Sequence, residues 1–312
     1  MVVSELASRV AGGDVRALAR AIRMVEDGDP AVDAVVRDLR SNTGAAHVIG
    51  VTGPPGSGKS TLGDQLIARW RSGGHRVGVI AVDPSSPFTG GAILGDRVRM
   101  QRHATDSGVF IRSMAARGHL GGLASAAREA VRLLDASGRD RCLVETVGVG
   151  QSELEVMQLA DTVVVVTTPA SGDAVQIIKA GILEIADVFV VNKADLPGAP
   201  KVYRDLKDLV RQTKAHDPWV PPVLMVTASA GSGVDELVVE LDRHHEMIEA
   251  SGELDRRRRE RVRAEVESIV VERAARRARA ALDEPPMRAA LDAGTEIDPY
   301  ALADEILDGS AA

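Results

Sequence analysis

Short apolar runs alternate with amphipathic stretches from about residue 47 to residue 250, and this alternation restricts the fold more than any other feature. The apolar runs predict strands at 47–53, 76–83, 108–113, 141–146, 161–168, 186–195 and 221–229. The stretches between them predict helices at 59–71, 96–105, 120–137, 151–159, 172–185, 201–215 and 233–249. Aromatic residues make up only 2 % of the chain, so Val, Leu, Ile and Ala must build the core. We therefore predict an α/β fold, a doubly wound and mainly parallel sheet with helices on both faces.

The two ends of the chain have helical patterns instead. In the N-terminal part, Asp14 is placed to cap one helix, and Asp29 followed by Pro30 is placed to begin another. In the C-terminal part, apolar residues recur on one face of a long helix that ends near Pro285, and a last helix is predicted at 298–307. The predicted segments are an N-terminal helical segment at 1–44, a sheet domain at 45–250 and a C-terminal helical arm at 251–312.

The first predicted strand leads into a glycine-rich loop with the pattern G-x-x-x-x-G-K-[ST], and a predicted helix follows the loop. Glycines let backbone N–H groups surround phosphate oxygens, and the helix N-terminus adds partial positive charge. We expect Lys59 to reach the β- and γ-phosphates and the Ser60 hydroxyl to bind Mg²⁺. The pattern alone is not specific, but the strand before it and the helix after it support phosphate binding. The predicted phosphate-binding residues are Gly53, Pro54, Pro55, Gly56, Ser57, Gly58, Lys59, Ser60 and Thr61.

A second motif, N-K-x-D, forms the end of the predicted strand at 186–195 and resembles the guanine-reading motif of GTPases. The Asp195 carboxylate can accept hydrogen bonds from both N1–H and the 2-amino group of guanine, and adenine offers no such pair of donors. A backbone N–H in the triplet after the next strand is placed to reach the guanine O6. The sequence therefore predicts GTP and GDP as ligands. The predicted base-binding residues are Asn192, Lys193, Asp195, Thr227, Ala228 and Ser229.

Acidic residues stand at the ends of two further predicted strands, and another follows a glycine-rich segment. The carboxyl ends of parallel strands meet at one edge of a sheet, so these acids should lie near the phosphates. Mg²⁺ prefers oxygen ligands and often keeps bound water, which suits carboxylates. The alternative for each acid is a helix cap or a solvated loop end. The residues predicted to act in hydrolysis are Lys59, Asp96, Glu145 and Gly148, and those predicted to hold Mg²⁺ are Ser60, Asp83, Asp96 and Glu145.

Composition excludes several other classes of protein. A net charge of −7 argues against a general nucleic-acid binder. The single cysteine, Cys142, is predicted to be a core residue, and it fits a reducing cytoplasm because it can form no internal disulfide. The longest apolar run is far too short to cross a membrane. The basic run Arg256–Arg259 is either a solvated helix face or a dimer or partner contact.

Together these motifs resemble the MeaB-type GTPases that are associated with methylmalonyl-CoA mutase, many of which are labelled as arginine/ornithine transport-system kinases. The resemblance covers roughly residues 45–250 and is carried, in order, by GPPGSGKST, AVDPSSPFTGGAILGDRVRM, IRSMAARGHLGG, LVETVGVGQSE and VVNKAD. It implies a SIMIBI-class P-loop GTPase that hydrolyses GTP to GDP and phosphate with Mg²⁺. It also implies a homodimer formed through the C-terminal arm, and a mobile segment near Pro169–Ala180 that responds to the partner.

The resemblance further implies a chaperone that uses GTP to gate the loading of adenosylcobalamin into an acyl-CoA mutase and to protect that mutase. The chain lacks a D-x-H-x-x-G pattern, so the cobalamin should belong to the partner. The segment IRSMAARGHLGG differs from the version typical of mutase-partnered members, so either methylmalonyl-CoA mutase or a related mutase fits. The alternative function is an ATP- or GTP-dependent kinase of a basic amino acid transport system, although the N-K-A-D motif disfavours ATP.

Overall fold

The computed structural model of the chain describes residues 3–83, 101–103, 105–115, 122–146, 157–169, 182–293 and 297–308. The chain divides into two compact units, Met1–Arg257 and Arg258–Ala312. The first unit contains all the strands of the described residues, and the second contains helices.

A seven-stranded sheet lies at the centre of the first unit. Its strands are β1 (His47–Thr52), β2 (Val77–Asp83), β3 (Val109–Ala115), β4 (Arg141–Thr146), β5 (Thr162–Thr167), β6 (Val188–Asn192) and β7 (Val223–Val226). Their order is β3-β2-β4-β1-β5-β6-β7, and every pairing is parallel. The predicted fold class is therefore confirmed. Strands β2, β3 and β4 lie on one side of β1 in the sheet, and strands β5, β6 and β7 lie on the other. The strand order therefore reverses at β1, and such sheets bind ligands at the carboxyl end of the strand where this happens, which is called the switch point.

Helices cover both faces of this sheet. They are α1 (Val3–Ala11), α2 (Val15–Asp27), α3 (Val32–Asp38), α4 (Lys59–Ser72), α5 (Gly122–Ala136), α6 (Ile182–Ile185), α7 (Ala199–Lys214), α8 (Val234–Ala250) and the start of α9 (Glu253–Asp283). One apolar core lies between the sheet and α1, α2, α3, α5 and α7. The other lies between the sheet and α4 and α8. Both faces are buried, which explains why strand β5 is an unbroken run of β-branched residues.

The N-terminal helices were predicted with one error. Asp14 caps α2 as expected, since its Oδ1 accepts hydrogen bonds from the N–H groups of Arg16 at 2.8 Å and Ala17 at 3.0 Å. Helix α3, however, begins at Val32 and not at Pro30. Asp29 Oδ1 accepts from the N–H two residues further on, at 2.9 Å, and this local turn occupies the residues that were predicted to open the helix.

The predicted helix at 96–105 is wrong over its described residues. Residues 101–103 form a single 3-10 turn that is followed by a loop into β3. Asp106 Oδ1 accepts from the Gly108 N–H at 2.8 Å, and this local bond directs the chain into the strand instead of a further helical turn. The predicted helices at 151–159 and 172–185 lie mainly outside the described residues.

The second unit contains the rest of α9, α10 (Pro285–Asp292) and α11 (Pro299–Asp308). Helix α11 confirms the predicted last helix, and Asp298 Oδ1 accepts from the Tyr300 N–H at 2.9 Å at its start. Helix α10 was not predicted, because the proline pair was interpreted only as a helix end. A proline at the first helical position removes only an N–H that has no partner within the helix. No helix among the described residues is long and apolar enough to cross a membrane.

A buried polar network lies at the amino edge of the sheet, opposite the switch point. Thr162 Oγ1 lies 2.8 Å from His47 Nε2 and 2.8 Å from His244 Nδ1. His244 Nε2 lies 3.2 Å from Asp187 Oδ1, and the His245 ring stacks on His47 at 4.0 Å. The network therefore joins β1, β5 and β6 to α8.

The first turn of α9 joins the same network through Arg257. Its guanidinium donates to Asp187 Oδ1 and to the Asp161 carbonyl, both at 3.1 Å. Arg256 instead pairs with Glu253 at 2.6 Å on the exposed side. The run Arg256–Arg259 was interpreted as either a solvated helix face or a dimer or partner contact, and neither alternative holds for Arg257, which binds within the chain.

The buried His47 in this network should make the free energy of unfolding depend on pH. Burial lowers the pKa of His47 well below 6.5, and the neighbouring His245 lowers it further. Below pH 6.5 the unfolded chain binds a proton at this residue and the folded chain does not, so stability falls as the pH falls towards the folded pKa. We expect His47→Gln to remove a slope of about 1.4 kcal/mol per pH unit. Urea unfolding between pH 5 and 8 measures this, and equal slopes for the two proteins would contradict it.

Candidate functional site

The glycine-rich loop after β1 packs tightly against the ends of the neighbouring strands. Gly53 has a φ of 150°, and a Cβ there would lie 2.1 Å from the Val166 carbonyl oxygen. Gly58 has a φ of 88°, and a Cβ there would lie 2.4 Å from Asn192 Nδ2. Neither position has room for a side chain, so glycine is required at both for the loop to lie at the switch point.

Lys59 and Ser60 open helix α4 directly after this loop, and both are buried. The Lys59 ammonium donates to the carbonyls of Gly53 at 2.8 Å and Pro54 at 3.1 Å. A buried ammonium group needs hydrogen-bond acceptors, and these two carbonyls at the start of the loop supply them. This arrangement holds a cation beside the N-terminus of a helix, where anions bind favourably.

The Ser60 hydroxyl lies beside the acid that was predicted to act with it. Ser60 Oγ donates to Glu145 Oε1 at 2.6 Å, and the two residues are 6 % and 4 % exposed. Glu145 is level with Val51 of β1 and with Ala81 of β2 in the sheet register. A buried hydroxyl and carboxylate in contact are hard oxygen donors of the kind that Mg²⁺ prefers, so these residues fit the predicted metal ion.

The base-binding motif is joined to the phosphate loop by one side chain. Asn192 Nδ2 donates to the Ser57 carbonyl at 2.8 Å, and Asn192 Oδ1 accepts from the Ala228 N–H at 3.1 Å. Lys193 has a φ of 55°, an uncommon left-handed conformation that turns the chain away from β6. Asp195 then lies exposed in the loop that follows. One buried amide therefore fixes the phosphate loop, the end of β6 and the loop after β7 relative to each other.

Two of the three backbone N–H groups in the triplet after β7 donate hydrogen bonds within the protein. The Thr227 N–H donates to the Ser232 carbonyl at 3.0 Å, and the Ala228 N–H donates to Asn192. Within the described ranges the Ser229 N–H makes no hydrogen bond to the protein, and its contact with the guanine O6 stays a prediction.

Several predicted site residues fall outside the described part of the chain. Asp83 ends β2 at the same edge as Glu145, in register with Ala115 of β3, and its side chain is not described. Asp96 and Gly148 lie outside the described residues, and so do residues 170–180 of the segment near Pro169–Ala180. The structure therefore brings together the phosphate loop, Glu145 and the two loops of the base site, while the roles of the remaining residues stay predictions.

Sequence reasoning did not single out Asp64, although it follows Ser60 by four residues and so shares its face of α4. Its Oδ1 accepts a hydrogen bond from Arg102 Nε at 2.6 Å. The predicted core residue Cys142 is fully buried in β4, and burial raises the pKa of its thiol. No group of three or more His, Cys, Asp or Glu side chains in the described ranges is placed to hold a metal ion.

Comparison with known proteins gives consistent similarities. A Pyrococcus horikoshii protein that is named as a GTPase is 48 % identical over 98 % of this chain and 98 % of its own length. GTPase ArgK of Escherichia coli is 38 % identical over 83 % of this chain and 80 % of its own length. The methylmalonic aciduria type A homolog of Mus musculus, a mitochondrial protein, is 39 % identical over 67 % of this chain and 52 % of its own length.

A solved structure of an LAO/AO transport system kinase superposes with a TM-score of 0.71 at 27 % identity, covering 99 % of this chain and 98 % of that chain. The family described as methylmalonyl-CoA mutase-associated GTPase MeaB matches residues 18–283. That range contains the phosphate loop, Glu145 and the base-binding loops at one edge of a parallel sheet. The chain therefore belongs to the MeaB family and is a GTPase.

Proposed function

We propose that this GTPase is a switch that gates the loading of adenosylcobalamin into an acyl-CoA mutase and protects that mutase. The mutase is methylmalonyl-CoA mutase or a relative. The observation that carries the nucleotide-binding part of the proposal is the Asn192 side chain, which joins the phosphate loop to the base loops and would let one guanine nucleotide span both. The family description and the name of the mouse relative support an association with methylmalonyl-CoA metabolism.

In the proposed mechanism the phosphate loop orients the triphosphate of GTP. The Lys59 ammonium moves from the carbonyls of Gly53 and Pro54 to the β- and γ-phosphate oxygens. Ser60 and Glu145, together with Asp83 and Asp96, would hold Mg²⁺, which would supply positive charge to the phosphate oxygens when bound. Asp195 accepts from the guanine edge and fixes the base.

The proposed switch consists of residues 83–100 and 145–152, and the mutase binds to these residues. A γ-phosphate is present in GTP and absent in GDP, so contacts to it bias these residues between two states. Gly148, through its N–H, senses the γ-phosphate. The two nucleotides must then give different affinities for the mutase, because a ligand shifts an equilibrium only by its differential affinity.

Calorimetry with a purified adenosylcobalamin-dependent acyl-CoA mutase tests the proposal. We expect the affinity of the chain for the mutase to differ about tenfold between GDP and a non-hydrolysable GTP analogue. We also expect the mutase to accelerate GTP hydrolysis. Equal affinities in the two nucleotide states, or no binding to methylmalonyl-CoA mutase and its relatives, would refute the proposed switch.

A second candidate is a nucleotide-dependent kinase of a basic amino acid transport system. It is favoured by one observation, the 27 % identical structural neighbour described as an LAO/AO transport system kinase. Transfer of labelled γ-phosphate from GTP or ATP to arginine distinguishes the two candidates. We expect label in free phosphate and none in the amino acid, and label in arginine would favour the kinase.

We also propose that the chain forms a homodimer through α9. Val262, Val266 and Val270 are 51 %, 55 % and 60 % exposed and follow one another at helical spacing. We expect Val266→Glu to convert the dimer to a monomer, since it places a charge within this apolar face. Val271→Glu is the matched control, because Val271 is 66 % exposed but lies about 140° round the helix from Val266. Light scattering measures both variants, and a wild-type monomer or a dimeric Val266→Glu protein would contradict the proposal.

A further inference from the structure

The loop between β7 and α8 is folded back tightly on itself. The Thr227 N–H donates to the Ser232 carbonyl at 3.0 Å, and the Ala230 N–H donates to the Thr227 carbonyl at 3.0 Å. Gly233 has a φ of 76°, and a Cβ there would lie 2.3 Å from the Met225 carbonyl oxygen. These contacts make the loop a compact turn, so a displacement of one part of it moves the rest.

Arg69 of helix α4 contacts this loop from outside. Its Nη2 donates to the Gly231 carbonyl at 3.2 Å, and its Nε donates to Asp235 Oδ1 at 3.1 Å in the first turn of α8. Gly231 has a φ of 71°, and a Cβ there would lie 2.9 Å from Arg69 Nη2, so the guanidinium lies directly against the loop backbone. Arg69 Nη1 also donates to Gln65, one turn earlier on α4, which holds the guanidinium in this orientation.

The bond to the Gly231 carbonyl should contribute more than the ion pair with Asp235. The Arg69 side chain is 28 % exposed, whereas that of Asp235 is 76 % exposed, and an exposed ion pair contributes little. A hydrogen bond from a charged donor to a partly buried carbonyl is stronger than one between neutral groups. Arg69 therefore stabilises the loop mainly at Gly231.

The loop that Arg69 contacts carries the backbone N–H that is predicted to reach the guanine O6. Ser229 lies two residues before Gly231, and the Gly231 N–H donates to the Ala228 carbonyl at 3.2 Å. The Ala228 N–H in turn donates to Asn192 Oδ1 at 3.1 Å. Ser229 thus lies between two fixed points of the loop, one held by Asn192 from the end of β6 and the other by Arg69 from α4.

We propose that Arg69 is a positioning residue for guanine recognition, acting through Gly231 on the Ser229 N–H. A hydrogen bond weakens steeply when its donor is displaced or tilted, so a loop held in one position gives O6 a better-aligned donor. Helix α4 begins at Lys59, so one helix carries the lysine of the candidate phosphate loop and also orients this donor. The inference rests on the guanine site of the proposed function, namely the predicted contact between the Ser229 N–H and O6, and not on the mutase.

The test measures the affinities of three nucleotides for the wild type and for Arg69→Gln. The glutamine amide nitrogen takes the place of Arg69 Nε, so the variant loses the donor to the Gly231 carbonyl. 6-Thio-GTP keeps N1–H and the 2-amino group but has sulfur, a weaker acceptor, in place of O6. Inosine triphosphate keeps O6 and lacks the 2-amino group, so it reports on Asp195 instead.

The wild type should bind GTP about fivefold more tightly than 6-thio-GTP, since one hydrogen bond is weakened. In Arg69→Gln we expect this preference to fall to about twofold or less, because the Ser229 N–H is no longer aligned. The preference for GTP over inosine triphosphate should stay within about twofold of wild type, since Asp195 determines it. Titration calorimetry at neutral pH measures all of these affinities.

Arg71→Gln is the matched control. Arg71 lies on the same helix, its side chain is 25 % exposed, and it donates to the Asp106 carboxylate at 2.7 Å and to the His75 carbonyl. It therefore makes the same kinds of contact as Arg69, but with residues outside the base loops. We expect Arg71→Gln to lower the melting temperature at least as much as Arg69→Gln and to leave both nucleotide preferences unchanged.

Three results would overturn the inference: an unchanged preference for GTP over 6-thio-GTP in Arg69→Gln, an equal fall in the preference over inosine triphosphate, or the same pattern in Arg71→Gln. If Arg69→Gln does not fold, Arg69→Ala decides by the same criteria, because alanine favours the helix and also lacks the donor. Equal wild-type affinities for GTP and 6-thio-GTP would refute the predicted O6 contact, and the inference with it. Mutase binding is measured separately, and its failure refutes the proposed switch alone.

Discussion

We expect Lys59→Ala to lower the affinity for both GTP and GDP at least about 100-fold, the largest effect of any single substitution in the chain. The ammonium is the buried cation of the candidate phosphate loop, and its bonds to Gly53 and Pro54 place it where we propose that the phosphates lie. Charge-assisted hydrogen bonds to phosphate in a site shielded from water are among the strongest single interactions in a protein. Titration calorimetry with each nucleotide measures the loss.

A matched control is Lys201→Ala, which removes an exposed lysine that pairs with Asp205 on α7. This control should bind both nucleotides as the wild type does. The far-ultraviolet circular dichroism of Lys59→Ala should also match the wild type. Affinity for GTP within about threefold of wild type in Lys59→Ala would remove the basis for the phosphate site.

The second large effect is a change of base specificity in Asp195→Asn. A carboxylate accepts from both N1–H and the 2-amino group of guanine, whereas an amide can accept from one and would direct an N–H at the other. A site whose hydrogen-bonding groups no longer match a ligand discriminates strongly against that ligand, here guanine. We expect GTP affinity to fall about 100-fold and xanthosine triphosphate, with an oxygen in place of the 2-amino group, to bind more tightly than GTP.

Competition between labelled GTP and unlabelled xanthosine triphosphate measures this exchange. Asp205→Asn makes the same chemical change at an exposed position on α7 and should leave base preference unaltered. A variant at Asp195 that still prefers GTP would show that another group reads the 2-amino position. The candidate site would then need a different base-binding residue.

The sheet and its order of helices and strands were predictable because each element buries a face whose spacing the sequence displays. Strand β5 is a continuous run of buried residues, and α2 has its cap and its apolar face within 14 residues. The errors arose where a polar side chain made a local bond that periodicity does not reveal. Asp29 and Asp106 each bind a backbone N–H two residues on, and both shift or end a predicted helix.

The motifs predicted the candidate phosphate and base loops, because each motif consists of residues that are close together in sequence. The contacts that join these loops are long range and were not predictable. Asn192 binds Ser57 across 135 positions of sequence, and the partner could be identified only from the folded chain. Asp64 gave no signal beyond its spacing from Ser60, since any surface helix carries such acids.

The contact between Arg257 and Asp187 determines where the GTPase unit can be shortened. A protein cut at residue 250, the boundary suggested by the sequence pattern, would keep Asp187 buried and lose its guanidinium partner. Asp187 would keep His244 at 3.2 Å and the Val163 N–H at 2.8 Å, so we expect the cut to lower the free energy of unfolding, but by less than the loss of all its partners would. The smallest fragment that keeps the amino edge of the sheet intact therefore extends through Arg257, and the first turn of α9 belongs to the nucleotide-binding unit.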